Sequence, residues 1–423
     1  MVKYSLTMNF FQNMISSIME NGLSLSRFRA QGFGTLHKDI NQATESVMHT
    51  SGEVSSIAFA EHLLDLIESQ STEDLVIYLE YLLSKYDVDT EVIVKAAKEY
   101  SINKNQKNLQ GLSNAAEPKW IELFRRLNAT PNGTHRLIEL REQIRLLLKE
   151  GNSQLKPLDS GLLKLFKYWF NPSFLVLENI DWTTPANILE KIIAYEAVHE
   201  INSWDDLRAR LAPKDRKCFA FFHPLMPNEP LIFVEVALTS NMPESISDII
   251  KIDGPIILDE DMNTAVFYSI SNCQEGLSGI SFGNFLIKNV ANKLKQENDG
   301  LKKFVTLSPA PGFVKWLKDQ SIDEDLAEDM LFKQALTYLT DSDQEDGLPN
   351  DPVAKFHLGN GAILERINLN ADLSSKGLNQ SKGIMVNYLY NLETLEENHE
   401  LFFKTKEVKQ SDGIKTLRKK LRI

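Results

Sequence analysis

The sequence predicts an α+β protein in two parts: an all-helical N-terminal domain over residues 1–168, then an α/β domain over residues 169–423 with a mixed, largely antiparallel sheet. Three observations predict this. Up to about Tyr168 apolar residues recur at helical spacing, with no convincing β alternation. Near Asn171 the composition shifts to short β-branched and aromatic runs. Those runs are joined by hairpin-like connections and isolated helices rather than a strict βαβ series, so the sheet is not all parallel.

Composition bounds the function. A chain of 423 residues is too long for one ordinary core, and 43% hydrophobic with 25% charged residues is globular. No apolar run approaches the length of a bilayer crossing. The formal net charge of -12 argues against nucleic acid or an anionic membrane as the main partner. Cys218 and Cys273 lack metal-ligand or redox spacing and read as two reduced thiols. The stretch MVKYSLTMNFFQNMISSIMENG looks amphipathic but carries Glu20 and only one early lysine, a poor organelle presequence without a signal-peptide core. LRKKLRI does not end in the peroxisomal Ser-Lys-Leu. A cytoplasmic location is the simplest expectation.

In the helical part, STEDLVIYLEYLLSKY opens with Ser71 three residues before Asp74 and stacks Leu75, Tyr78, Leu79, Leu82 and Leu83 on one face. THRLIELREQIRLLLKEG stacks Leu137, Leu140, Ile144, Leu147 and Leu148, with Gly151 as its stop. VSSIAFAEHLLDLIES, TEVIVKAAKEYS and PKWIELFRRLNA are shorter helical candidates. No paired histidines or phosphate loop accompany them, and the carboxylates spread over solvated faces.

In the second part, NPSFLVLENI carries a strand-like run, and Thr184 can cap a helix with Pro185 in its first position. On that helix Ile188, Ile192, Tyr195 and His199 share a rough face, and His199 reads as a core or interface histidine. KCFAFF and LIFVEVALT are strands joined by HPLMPNEP, whose three prolines argue against a ladder there. His223 and Glu229 in that connection read as surface contacts. Past an acidic loop, Asp351 starts a helix with Pro352 in the tolerated first position, and His357 falls early in it, before Gly359 and Gly361 interrupt its propensity. GIMVNYLYNL reads as a strand and the basic tail as a solvated helix.

The stretch from Thr264 to Phe313 organises the rest. TAVFYSI reads as a strand, SNCQEGLSG as a loop, and from Ser281 onward Phe282, Phe285, Leu286, Val290 and Leu294 recur at helical spacing. A helix opening from a glycine-bearing loop offers unpaired amides and positive potential to an anion. Gly279 and Gly283 permit close approach to the backbone. An ordinary tight connection has the same pattern.

These residues resemble malonyl-CoA decarboxylases. The likeness covers Thr264 to Leu317, DPVAKFHLGNGAILERINLNADLSSKG, KGIMVNYLY, and upstream ILEKIIAYEAVHEI and CFAFFHPLMPNEPLIFVEVALT. It implies a GNAT-like α/β catalytic domain, malonyl-CoA as substrate, and carboxy-lyase chemistry giving acetyl-CoA and CO2 without a metal or separate cofactor, CoA being part of the substrate. It implies that Ser308 of LSPAPGF and His357 of FHLGNGA form the catalytic pair. Histidine would donate the proton to the carbanion, and its ordinary pKa of about 6.5 suits that role. Ser278, Gly279, Ile280, Ser281, Phe282, Gly283 and Asn284 would hold CoA, mainly through main-chain amides. Some family members carry an acidic residue where this chain has Ser281, so Ser281 is assigned to binding alone. Ser269 would help shape the acyl pocket. The helical domain would mediate homo-oligomer formation, as a dimer or tetramer. A GNAT-type N-acyltransferase and a non-catalytic acyl-CoA sensor are the alternatives.

Overall fold

A computed structural model describes residues 37–250, 257–280, 282–342 and 347–421. The amphipathic N-terminal stretch, Ser281 and part of the acidic loop after Thr340 lie outside the described residues. Two compact units divide the chain. One runs to Leu175 and takes in His223–Pro227 and Gln274–Ile280; the other holds Val176–Phe222, Asn228–Cys273 and the chain from Ser281 onward.

In the first unit the helices are α1 (Ile40–His49), α2 (Glu53–Glu68), α3 (Thr72–Lys85), α4 (Thr90–Ile102), α5 (Gln106–Ala115), α6 (Lys119–Asn128), α7 (Gly133–Lys149) and α8 (Lys156–Trp169). Ser71 caps α3: its hydroxyl accepts from the Asp74 N–H at 3.1 Å and donates to the Asp74 carboxylate at 2.8 Å. Leu75, Tyr78, Leu79 and Leu82 are buried along one stripe of α3, as the spacing predicts. Leu137, Leu140, Ile144 and Leu147 do the same for α7, and Gly151 follows its end at φ 107. Each such leucine contributes about 1.5–3 kcal/mol of burial.

The second unit is built on an eight-stranded sheet: β1 (Val176–Ile180), β2 (Arg216–His223), β3 (Met226–Thr239), β4 (Thr264–Asn272), β5 (Lys303–Thr306), β6 (Ser308–Pro309), β7 (Ile363–Asn368) and β8 (Met385–Leu389). The strand order is β1-β2-β3-β4-β5-β8-β6, with β7 also on β8. β4 and β5 are parallel, whereas β1 with β2, β3 with β4, and β8 with β5, β6 and β7 are antiparallel. The expected helical part followed by a mixed, largely antiparallel α/β part is therefore present. Its helices are α9 (Ala186–Tyr195), α10 (Trp204–Leu211), α11 (Ser247–Ile250), α12 (Gly283–Glu297), α13 (Phe313–Asp319), α14 (Glu328–Thr340), α15 (Pro352–Gly359), α16 (Ser375–Ser381), α17 (Leu395–Thr405) and α18 (Asp412–Lys420).

Three local expectations are corrected. β3 begins at Met226 and runs through Pro227 and Pro230, so the prolines do not end the strand; a proline fits wherever the ladder does not need its amide. Pro185, not Thr184, occupies the cap position of α9, and the Thr184 hydroxyl accepts from the Asp181 N–H instead. α9 stops at Tyr195, leaving His199 outside it, because the Glu196 carboxylate accepts the N–H groups of Val198 and His199 and folds the chain into a turn.

A bulge in β4 decides which face its side chains serve. Phe267 pairs with Val236 and Ser269 pairs with Glu235, so Tyr268 is surplus. Cross-strand partners share a face and neighbours along β3 alternate, so Phe267 and Ser269 point to opposite sides of the sheet. Phe267 lies against the Tyr390 ring, with centroids 6.4 Å apart. Phe233, the partner of Ser271, packs instead with Ile192, Cys218 and Cys273, both cysteines being buried free thiols.

Candidate active site

The short strand β6 sets Ser308 against Val386 of β8. By alternation along β8, Tyr388 shares the face of Val386, and Tyr390, just beyond the strand, continues it. The facing wall is α15, whose start is fixed by Asp351: its carboxylate accepts from the Ala354 N–H at 2.6 Å, and Pro352 fills the first turn as the sequence predicts. α15 has only eight residues, ending at Gly359, so His357 lies in its last turn rather than early in the helix as expected.

There the two groups meet. Ser308 Oγ lies 3.0 Å from His357 Nε2, and His357 Nδ1 lies 2.8 Å from the Tyr390 hydroxyl. The Tyr388 ring stacks on the imidazole, with centroids 4.7 Å apart and planes 26° apart. Ser308 and His357 are only 7% and 3% exposed, so the pair is almost fully desolvated.

Burial drives the His357 pKa down to about 3. The expectation of an imidazole with an ordinary pKa is therefore corrected: the buried ring is neutral at physiological pH. A neutral ring has one N–H and one lone pair, so its two hydrogen bonds run in a single direction. Either Tyr390 donates to Nδ1 and Nε2–H donates to Ser308, or Ser308 donates to Nε2 and Nδ1–H donates to Tyr390. Each is a continuous relay from hydroxyl through ring to hydroxyl. Burial also raises the Tyr390 pKa, an effect offset in part by the Asn360 side chain, and keeps the phenol protonated. Asp351, buried at the head of the same helix, is pushed up to about 7, although its hydrogen bonds favour the charged form.

The N-terminus of α12 lies beside this wall. A Cβ on Gly283 would come within 2.0 Å of the Phe356 ring, and Phe356 precedes His357 and touches it edge to face. Phe282, at the cap position of α12, supplies no side-chain cap. The first amides of α12 thus lack the usual side-chain acceptor at the cap.

Residues 173–330 and 318–422 match the model of the malonyl-CoA decarboxylase C-terminal domain, and residues 86–170 match that of its N-terminal domain. The chain belongs to the malonyl-CoA decarboxylase family. It is 35% identical over 349 residues to the mitochondrial malonyl-CoA decarboxylase of Anser anser anser, spanning 70% of this chain and 69% of that protein. With the Rattus norvegicus mitochondrial enzyme it shares 33% over 355 residues, 72% of each. Among solved structures, malonyl-CoA decarboxylase from Rhodopseudomonas palustris superimposes with a TM-score of 0.84 at 42% identity, covering 89% of this chain and 98% of that one. The Agrobacterium vitis protein gives 0.83 at 44% identity, covering 90% and 99%.

Of the residues singled out by likeness to malonyl-CoA decarboxylases, the structure brings Ser308 and His357 into contact and sets Gly283 beside Phe356. Ser278, Gly279 and Ile280 belong to the first compact unit, and Phe282, Gly283 and Asn284 to the second. Gly279 adopts φ 91, a conformation glycine accepts at little cost. Ser269 is not brought to the pair. It donates to both oxygens of Glu196, at 2.8 and 2.7 Å, and the Ser271 hydroxyl adds a third contact at 3.1 Å. His223, expected as a surface contact, is instead buried at the end of β2 against Phe170, 3.2 Å from the Trp169 carbonyl, whereas Glu229 is half-buried and pairs with Lys191.

Sequence reasoning missed Tyr390. Its signal was the alternation of Val386, Tyr388 and Tyr390 in KGIMVNYLY, which fixes all three on one face of a strand.

Proposed function

We infer that the chain converts malonyl-CoA to acetyl-CoA and CO2, with Ser308 and His357 as the residues that act on the acyl group. The observation that carries this is the 3.0 Å contact between Ser308 Oγ and His357 Nε2 within the region matching the family's C-terminal domain. Loss of CO2 leaves its bonding electrons in the thioester carbonyl as an enolate, which is then protonated on carbon. No covalent intermediate or redox step is needed.

Ser308 donates a hydrogen bond to the malonyl carboxylate and helps hold the breaking C–C bond across the carbonyl plane. His357 delivers the proton to the carbanion. A buried imidazole with a pKa of about 3 carries no spare proton alone, but an anionic substrate alters the balance. A carboxylate in the same desolvated space favours the imidazolium, so the proton is taken up with the substrate and passes to the enolate carbon once neutral CO2 has left, returning the ring to its neutral form. Tyr390 holds Nδ1 and thereby fixes the ring's orientation.

The diphosphate of CoA is assigned to the glycine loop, above all to the Gly279 N–H, supported by the positive φ at Gly279; the Ser278 and Ile280 N–H groups are already donated to the Glu275 and Leu277 carbonyls. The helical part is assigned to self-association. Supporting this, α4 and α5 bury none of their residues and leave Val92, Val94, Ile102 and Leu109 exposed. Sedimentation of the purified protein tests the oligomer. Incubation with malonyl-CoA, following acetyl-CoA and CO2, tests the reaction. Stoichiometric formation of both is expected, and folded protein that binds CoA without turnover would refute the assignment.

A further inference from the structure

The helical unit holds one arginine where a leucine would be expected. Arg141 lies four residues after Leu137 and three before Ile144, on the apolar stripe of α7, and is 1% exposed. Its Nε donates to Asp159 of α8 at 2.8 Å. Its Nη1 donates to two main-chain carbonyls of the glycine loop, Gly276 at 2.6 Å and Ser278 at 2.9 Å.

We propose that Arg141, oriented by Asp159, is a positioning residue for the CoA-binding loop: by drawing the Ser278 carbonyl toward α7 it turns the Gly279 N–H the other way, to meet an anionic oxygen. The peptide plane requires this, because in a trans peptide the carbonyl and the following N–H point in opposite directions, and no cis bond occurs among the described residues. The Leu277 N–H, opposite the Gly276 carbonyl, is already donated to Gln274 within its own turn. The Gly279 N–H has no acceptor among the described residues. One guanidinium thus satisfies two carbonyls and a carboxylate and leaves one amide presented. Lysine cannot do so, because its point charge lacks the planar fork that fixes several acceptors at once. The ligand chemistry is that of a nucleotide diphosphate, and the inference rests on the assignment of CoA to this loop.

The test compares Arg141→Lys and Asp159→Asn with the parent for binding of CoA and of pantetheine, which lacks the diphosphate, and for turnover of malonyl-CoA and of malonyl-N-acetylcysteamine. Thermal unfolding establishes that each variant is folded, and two variants guard against one failing to fold. In Arg141→Lys, CoA affinity is expected to fall by about 10- to 100-fold with KM rising in step, the range a charge-assisted hydrogen bond supports. Asp159→Asn falls in the same direction by less. Pantetheine affinity and turnover of the short thioester stay within about twofold, a split that a general loss of packing would not give. Equal losses on long and short ligands, or no loss on CoA, would overturn the proposal. If the parent binds CoA but does not turn over malonyl-CoA, the reaction assignment fails, and the binding comparison still decides the role of Arg141.

Discussion

The Tyr390 hydroxyl lies 2.8 Å from His357 Nδ1, on the side of the ring away from Ser308. The imidazole is therefore held at both nitrogens, and its tautomer follows the direction of the relay. Tyr390→Phe keeps the ring packing but removes one end of it. We expect kcat to fall about tenfold, the value of one net hydrogen bond, with CoA affinity unchanged. Steady-state kinetics beside calorimetric CoA binding checks this, and an unchanged kcat would remove Tyr390 from the relay.

His357→Ala is expected to lower kcat by about 10² to 10⁴, the usual contribution of a positioned acid, while CoA still binds. Ser308→Ala should lower kcat too, and the double variant should lose less than the product of the two single losses, because the residues act as a unit. Multiplicative losses would mean that the two hydroxyl and imidazole groups work independently.

The depressed His357 pKa shapes the pH profile. In the free protein the ring is neutral above about 3, so kcat/KM should show no inflection near 6.5 from this residue. Stability carries the opposite side of the same shift. The unfolded ring takes up a proton near 6.5 and the folded ring only near 3, so the stabilisation is complete above 6.5 and is lost as pH falls toward 3. Denaturant titrations from pH 7 to pH 4 should show falling stability, with a shallower slope in His357→Gln.

Asp351 behaves in the reverse sense. Its folded pKa of about 7 exceeds the ordinary 3.8, so its contribution is complete below about 4 and is lost as pH rises toward 7. Asparagine caps a helix as well as aspartate does without carrying charge into the interior. Asp351→Asn should gain Tm relative to the parent as pH rises from 5 to 8. A constant difference across that range would contradict the assignment.

Gly283→Ala tests the contact between the start of α12 and the wall of the pair. The new methyl would meet the Phe356 ring at 2.0 Å, so the ring must move. We expect a loss of about 1–3 kcal/mol from overpacking, together with a lower kcat as His357 is displaced. A variant with parental Tm and kcat would show that Phe356 yields freely.

The sequence revealed those features that rest on local chemistry. Ser71 and Asp351 begin helices because their side chains answer free amides nearby, and the stripes of α3 and α7 follow from apolar spacing. The partnership of Ser308 and His357 was legible only through family likeness, since forty-nine positions separate them and no periodicity connects them. The fate of Ser269 was hidden because a bulge leaves no mark in strand composition, and its acceptor Glu196 lies seventy-three residues upstream. Arg141 did leave a mark, as a charge on an apolar stripe, but only the fold reveals which carbonyls it holds. The depth of burial that neutralises His357 is likewise a property of packing around a residue whose type gives no warning.

One supernumerary residue in β4 has a consequence for how this sheet tolerates change. Because Tyr268 has no partner of its own on β3, deleting it would leave Ser269 opposite Glu235 and Ser271 opposite Phe233, and Glu196 would keep its three hydroxyl contacts. Point substitutions in this strand alter one side chain each, whereas losing this one unpaired unit would straighten the strand without exchanging its two surfaces. The pairing of Ser269 with Glu235 and of Ser271 with Phe233 is what keeps the carboxylate of Glu196 on the side of the sheet away from the proton relay.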